Sequence, residues 1–301
     1  MLAGIDVGGT KAAGVLVDSG SGTVVHSARA PSNGSGPELV ATLVDIVRTL
    51  SARSEKPISA VGLAIAGLVE RSGVVRWSPN LPSAVDHPVA SEVSQALGLP
   101  VTTVNDATAA ALAESRLGAG RGCDDFALVT LGTGIGAGLV SGGRLLYGAH
   151  GFAGEPGHSV IIADGPTHVT GQDGPWEFFA SGNALGRMGR EAKVGTTGEE
   201  VVEALAAGNH LAAKVFDSWC LEVARGLVNL IVILDLERVI LGGGLASVGE
   251  PLRAGVETRL GQLLPGACSR PPVGVFLAEL GDEAGARGAA LLAEEGHACE
   301  T

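Results

Sequence analysis

Apolar positions along this 301-residue chain alternate between two spacings. At the start, apolar runs at about 2 to 8, 12 to 18 and 22 to 29 predict two strands joined by a glycine turn, then a third. From Glu38 the spacing lengthens, and Leu39, Val40, Leu43, Val44, Val47 and Leu50 recur at helical intervals. The stretch ISAVGLAIAG (58 to 67) predicts a strand, and a Gly/Pro-punctuated loop with WSPNLPS (77 to 83) follows. A short helix is predicted over 88 to 97 and a strand over PVTTV (100 to 104). The Ala-rich stretch 107 to 117 is a helix by propensity.

A second round follows. FALVTLGTGIGAGLVSGG (126 to 143) is again strand, glycine turn, strand, and Gly132, Thr133 and Gly134 fall where Gly8, Gly9 and Thr10 fall in GIDVGGTKAAGVLV. A glycine-rich loop (148 to 175) leads to a helix from about Trp176, with helices over 199 to 206 and 209 to 234. The strand RVILGGG (238 to 244), another helix, the strand VGVFLAEL and a final helix from about 283 complete the chain. Strands alternating with helices twice over predict an α/β protein of two similar halves.

Composition narrows the function. Lys plus Arg (20) against Asp plus Glu (32) gives a net charge of -12 with no local basic stripe, so nucleic acid is not an expected partner. The longest apolar stretch, LVNLIVILDL (227 to 236), is too short to span a bilayer, so no membrane association is expected. MLAGIDVGG lacks a basic start and its apolar run stops at Asp6, so no signal peptide is expected. Cys123, Cys220, Cys268 and Cys299 are far apart with no C-x-x-C pair, which predicts free thiols. A soluble, cytoplasmic protein is the expectation.

The glycine turns raise the question of a phosphate cradle. A P-loop requires G-x-x-x-x-G-K-[ST], but Thr10 precedes Lys11 here. Gly132, Gly134 and Ala137 match a dinucleotide fingerprint in spacing, yet the residues that follow continue as a strand rather than a helix. What remains is two turns, each presenting backbone N–H groups and a threonine hydroxyl, an arrangement that binds anions. Each alone also serves as an ordinary β-hairpin turn. Their repetition, with LGGGLA (241 to 246) after a third strand, favours phosphate binding. Asn105 and Asp106 end a strand just before a helix, where α/β proteins place ligand groups and where Asn and Asp also serve as helix caps.

GIDVGGTK, VNDATAAALAE (104 to 114), LGTGIGAGLVSGGRLLYGAHGFAGEPGH (131 to 158) and VILGGG together resemble the ROK family (repressor, open reading frame, kinase). The motifs occur in family order over nearly the whole chain. The resemblance implies a two-lobed actin/hexokinase/Hsp70-like fold with ribonuclease H-like halves, in whose cleft ATP and a sugar meet. The smaller lobe would span 1 to 112 with the C-terminal helix 283 to 301 packed back on it, and the larger lobe 113 to 282. ATP phosphates would approach Gly8, Gly9, Thr10, Lys11, Gly132, Thr133, Gly134, Gly242, Gly243 and Gly244. Asp6 would organise Mg²⁺, directly or through water. Asp106 would be the general base, and Asn80, Asn105, Asp106, Glu155, His158 and Glu177 would bind the sugar.

One stretch departs from the family. Many ROK proteins carry a zinc loop of pattern C-x-C-G-x-x-G-C-x-E, and here PTHVTGQDGPWE (166 to 177) contains no cysteine. His158 and His168 cannot complete a closed zinc site, so no structural Zn²⁺ is predicted. The resemblance therefore implies an ATP-dependent kinase acting on a primary hydroxyl, glucose O6 first, with N-acetylmannosamine, N-acetylglucosamine or a cyclitol as alternative acceptors. A sugar-sensing regulator without a DNA-binding segment is the non-enzyme alternative, since the first strand begins at about residue 2. An actin-like filament protein would leave the sugar-motif residues unexplained. Family kinases are commonly homodimers or tetramers, and this is expected here.

Overall fold

The structure is a computed structural model that describes residues 1–32 and 34–299. Residues 300 and 301 of the expected C-terminal helix lie outside that description. The chain divides into two compact units. The first comprises Met1–Arg121, Leu145–Ala153 and Asp282–Thr301, and the second Gly122–Arg144 and Gly154–Gly281.

The first unit is built in chain order from β1 (Leu2–Val7), β2 (Lys11–Val17), β3 (Val24–Pro31), helix α1 (Gly36–Ser51), β4 (Ala60–Ile65), β5 (Leu68–Val69), β6 (Val75–Trp77), α2 (Val89–Leu97), β7 (Val101–Asn105) and α3 (Asp106–Leu117). The second contains β8 (Phe126–Leu131), β9 (Ile135–Ser141), α4 (Trp176–Ala180), α5 (Gly182–Glu191), α6 (Gly198–Ala206), α7 (His210–Leu234), β11 (Arg238–Gly242), α8 (Glu250–Leu263) and β12 (Gly274–Leu277), and the two-residue strand β10 (Arg144–Leu145) falls where the chain passes from the second unit to the first. Helix α9 (Ala284–Cys299) returns to the first unit.

Two five-stranded sheets share one topology among the described residues, in the orders β3-β2-β1-β4-β7 and β10-β9-β8-β11-β12. In each, an antiparallel pair flanks a glycine turn (β1–β2, β8–β9), and the central strand then pairs in parallel with a later one (β1–β4, β8–β11). This repeat is the α/β architecture of two similar halves that the alternating periods predicted, and it agrees with the ribonuclease H-like halves that the family resemblance implies.

Burial explains the strands. In β1 and β4 nearly every side chain is buried, as in sheets covered on both faces. Leu39, Leu43, Val47 and Leu50 of α1 join Ile5, Leu16 and Leu63 in a core on one side. On the other, Ala286, Ala290 and Ala293 of α9 pack with Leu2, Val15 and Ala60. That helix lies close enough for a Cβ at Gly62 to fall 1.8 Å from the Ala289 carbonyl oxygen, so only glycine fits. The second unit packs Val129, Leu131, Leu227 and the fully buried Trp176 and Trp219 together.

Some elements differ from the sequence expectation. The helix expected from Trp176 is two helices, broken at Ser181, whose hydroxyl accepts the Ala184 N–H at 3.3 Å and caps α5. The strand expected over VGVFLAEL narrows to Gly274–Leu277. A small hairpin, β5–β6, interrupts the loop expected after Gly67. Cys123 and Cys220 are buried free thiols and Cys268 is an exposed one.

Candidate active site

The first group of predicted residues gathers at the β1–β2 turn of the first unit. The Gly8 N–H donates to the Lys11 carbonyl at 3.0 Å, closing the turn, and Thr10 and Lys11 are exposed. Ser32, at the end of β3, clamps this turn: its hydroxyl donates to the Gly8 carbonyl and its N–H to the Thr10 carbonyl at 3.2 Å. A Cβ at Gly9 would fall 2.3 Å from the Asn80 carbonyl oxygen, so the loop bearing Asn80 lies directly against the turn. Ser78 anchors that loop by donating to the Ala66 carbonyl at 2.7 Å and accepting the Leu81 N–H at 3.1 Å. Neither Ser32 nor Ser78 was singled out from the sequence. Both are almost fully buried, and their partners are distant in the chain or are main-chain groups that no motif names.

Asn105 and Asp106 stand where β7 meets α3. Asn105 is the helix cap, with Oδ1 accepting the Thr108 N–H at 3.0 Å and Nδ2 donating to the Gly67 carbonyl at 3.1 Å. An amide nitrogen carries two protons and its oxygen two lone pairs, so the cap leaves Asn105 capacity for a ligand. Asp106 is the first residue of α3, and its Oδ1 accepts the Ala107 N–H at 2.9 Å. Burial pushes its carboxyl above the usual carboxylate range, against the pull of hydrogen bonds from its own N–H, Ala107 and Asn105. Asp6, on β1, is raised to about 7, first by burial and then by the negative charge of Asp106, with Lys11 opposing. Two half-buried carboxylates thus share one region with a lysine, an arrangement in which a cation would be welcome.

The second group lies in the second unit. Glu155 precedes a 3-10 turn, Pro156–His158. The segment is fastened over β9, because the Ala137 N–H donates to the Gly154 carbonyl at 2.8 Å. A Cβ at Gly157 would lie 2.5 Å from the Ile135 carbonyl oxygen, so the turn sits tight on the strand. Glu177 is in the first turn of α4, and its Oε2 accepts the Ile135 N–H at 2.7 Å, just beyond the β8–β9 glycine turn. Trp176 anchors that helix, its ring N–H donating to the Glu222 carbonyl at 2.9 Å. The structure therefore brings Gly134, Glu155, His158 and Glu177 into one neighbourhood.

Gly132, Thr133 and Gly244 line a cavity of about 800 Å³ in the same unit, together with Asn183, Thr197 and Ser247. The other predicted glycines sit beside it in different roles. Gly134 gives room to the Glu177 carboxylate, Gly242 packs in β11 against Leu128, and Gly243 turns at φ +78° against the Leu131 backbone. Asn183, Thr197 and Ser247 were missed in the sequence. The one available signal was the spacing of Gly182, Gly186 and Gly189 along α5, which lets the α6 N-terminus approach. Among the described residues, no group of three or more His, Cys, Asp or Glu is arranged to hold a metal ion, and no helix is long and apolar enough to cross a membrane.

Known proteins share this framework end to end. The chain is 34% identical over 313 residues to a glucokinase of Streptomyces coelicolor, covering 97% of each chain. It is 32% identical over 302 residues to an N-acetylgalactosamine kinase of a Shewanella strain, covering 97% and 96%. A ROK family glucokinase from Streptomyces griseus, solved in complex with glucose and AMPPNP, superposes with a TM-score of 0.87 at 33% identity, covering 98% and 99%. The ROK family model itself spans residues 2–296, so the chain, with both halves and both glycine turns, belongs to the ROK family.

Proposed function

We propose that this protein is an ATP-dependent sugar kinase that transfers the γ-phosphoryl group of ATP to the primary hydroxyl of a hexose, with glucose O6 as the acceptor. The observation that carries this is the near-full-length likeness, at 33% identity, to a glucokinase solved with glucose and an ATP analogue. The carboxylate of Asp106 supports it. In the reaction, Asp106 takes the proton of the O6 hydroxyl as that oxygen bonds to phosphorus, and ADP departs. A partly buried carboxylate of raised affinity for protons suits such a base. Phosphoryl transfer asks little covalent chemistry of a protein beyond positioning and charge stabilisation.

The remaining residues divide by task. Gly8, Gly9, Thr10 and Lys11, with Gly132, Thr133, Gly134 and Gly242 to Gly244, cradle or shape the nucleotide site. The cavity bordered by Gly132, Thr133 and Gly244 has ample volume for a nucleotide. Asn80, Asn105, Glu155, His158 and Glu177 read the sugar hydroxyls, each offering two or more hydrogen-bonding positions. Asp6 would hold Mg²⁺, directly or through water. Its carboxyl is a hard oxygen donor with a second carboxylate nearby, and Mg²⁺ needs few protein ligands when phosphate oxygens complete its shell. When bound, Mg²⁺ would neutralise charge on the phosphate oxygens.

An amino sugar is the second acceptor worth testing, because the Shewanella amino-sugar kinase is as similar to the chain as a Thermotoga maritima glucokinase, each 32% identical. The test is ADP release with Mg-ATP against glucose, mannose, glucosamine, N-acetylglucosamine, N-acetylmannosamine and N-acetylgalactosamine. Turnover with glucose, lost in Asp106→Asn protein of unchanged fold, is the expected result. Preference for an acetylated sugar would replace glucose as acceptor, and full turnover in the variant would remove Asp106 from its role.

A further inference from the structure

The segment between Ile162 and Trp176 contains no cysteine, yet it is closed on itself by polar contacts. Thr167 and Asp173 face each other as an antiparallel bridge, and the Thr167 hydroxyl donates to the Asp173 carboxylate at 2.5 Å. Inside that bridge the His168 N–H donates to the Gln172 carbonyl at 2.8 Å and the Gly171 N–H to the His168 carbonyl at 2.9 Å. Gly171 turns at φ +80°, a conformation that favours glycine. The result is a tight turn whose tip, Val169, is 96% exposed while the neighbouring His168 side chain is only 13% exposed.

The half-buried imidazole has one partner on each nitrogen. Nε2 lies 3.3 Å from Glu177 Oε1, and Nδ1 lies 3.0 Å from the Thr170 hydroxyl oxygen. In the tautomer whose Nδ1 accepts the Thr170 hydroxyl, Nε2 carries the ring proton on the side of the Glu177 carboxylate. Glu177 is thus held at both oxygens, Oε1 by the His168 imidazole and Oε2 by the Ile135 N–H at 2.7 Å. A single anchor leaves a carboxylate free to pivot, whereas a hydrogen bond at one oxygen and an imidazole packed against the other restrain its plane. Each oxygen still retains a lone pair for a ligand hydroxyl. The same loop reaches the other side of the neighbourhood, where the Gln172 side-chain amide donates to the His158 carbonyl at 2.5 Å.

We propose that His168 is a positioning residue that sets the orientation of Glu177 for sugar recognition. This rests on Glu177 being a sugar ligand, as in the function proposed above. His168 acts through Glu177 and does not itself touch the reacting atoms. Losing the contact frees the carboxylate, so sugar affinity falls while nucleotide handling is preserved. Losses of this kind run to about 10-fold or more when a partner that orients a binding group is removed.

Four variants of the full chain test it: His168→Ala, His168→Gln, Val169→Ser and Glu177→Gln, plus the double variant His168→Ala/Glu177→Gln. Steady-state kinetics are measured against glucose and against Mg-ATP, with glucose binding by titration calorimetry alongside. His168→Ala should raise KM for glucose about 10-fold, with KM for ATP within about twofold of the parent. His168→Gln, whose amide can donate from nearly the same place as Nε2, should recover most of the loss, and Val169→Ser should match the parent. In the double variant the His168 change should add little to the Glu177 change.

Each other outcome overturns the proposal at an identifiable point. If Glu177→Gln leaves glucose affinity untouched, Glu177 is not a sugar ligand and the orienting role disappears with it. If Glu177→Gln weakens glucose binding but His168→Ala does not, Glu177 stands and His168 does not position it. Equal losses for glucose and ATP, or a full additive penalty in the double variant, would mean that His168 supports the fold and not this carboxylate.

Discussion

At the residue scale, Asp106 combines two duties that substitution can separate. Its Oδ1 accepts the Ala107 N–H in the first turn of α3, and its carboxylate is the proposed base. Asn in its place keeps an oxygen for the Ala107 N–H and loses the basicity. Asp106→Asn should therefore lower kcat by about 10²–10⁴-fold while the protein remains folded and unfolds cooperatively. A kcat within threefold of the parent would exclude the role. Asp6 offers a test that needs no substrate. The folded protein raises its carboxyl to about 7 from 3.8, chiefly by burial and then through Asp106, so ionisation is disfavoured in the native state relative to the unfolded chain. In metal-free buffer the protein suffers no such penalty below the unfolded value. It loses stability as pH rises toward about 7 and reaches a plateau above it. Asp6→Asn removes the ionisation, so denaturant unfolding should show parent and variant alike near pH 4 and the variant more stable at pH 8. The difference is bounded by about 4 kcal/mol. A gap that is constant with pH would mean that Asp6 ionises as freely in the fold as outside it.

Helix α9 shows at the element scale how glycine and alanine substitute for large side chains in a close contact. A Cβ at Gly288 would fall 1.7 Å from the Ala109 carbonyl oxygen of α3, and one at Gly4 would fall 1.9 Å from the Ala286 carbonyl oxygen. The neighbours are backbone atoms and cannot swing aside. Gly288→Ala should therefore destabilise the protein by about 1–3 kcal/mol despite the better helix propensity of alanine. Gly261 in α8 is the contrast, because no atom would lie within 4 Å of its added Cβ. Gly261→Ala should be neutral or stabilising by up to about 1 kcal/mol. Paired thermal melts decide the matter, and equal shifts for the two would refute the packing account. This contact also marks a limit of the sequence. The stretch AGARGAALLAEEG reads as a plain Ala-rich helix, since the strands and helix it approaches lie far away in the chain. The hydrophobic spacing of α1, by contrast, is local: Leu39, Leu43, Val44, Val47 and Leu50, which it named, are buried, while Val40 is half-buried and Ile46, which it did not name, is buried.

For the molecule as a whole, the twofold alternation of strand and helix was legible because each half repeats the same strand, glycine turn and strand. The sheet orders reproduce that repeat. The motif residues stand at the ends of β1 and β7 in one unit and at the end of β8 and in the first turn of α4 in the other. What escaped were groups defined only by folding, such as Ser32 clamping the Gly8 turn, Ser78 holding the Asn80 loop, and His168 against Glu177. The last of these bears on the metal requirement of the whole protein. Structural zinc demands closed coordination by sulfur and nitrogen. The segment from Pro166 to Glu177 has instead one half-buried imidazole, engaged with Glu177 and Thr170, and a Thr167–Asp173 hydrogen bond. Its order should therefore not depend on a bound metal, whereas phosphoryl transfer should. Chelation with EDTA is expected to abolish turnover, excess Mg²⁺ to restore it, and the melting temperature to move by less than about 1 °C. Metal analysis of the purified chain should find far less than one zinc per molecule. A stoichiometric zinc whose removal lowers the melting temperature would show that the loop is held by coordination, and that the contacts around His168 are secondary to it.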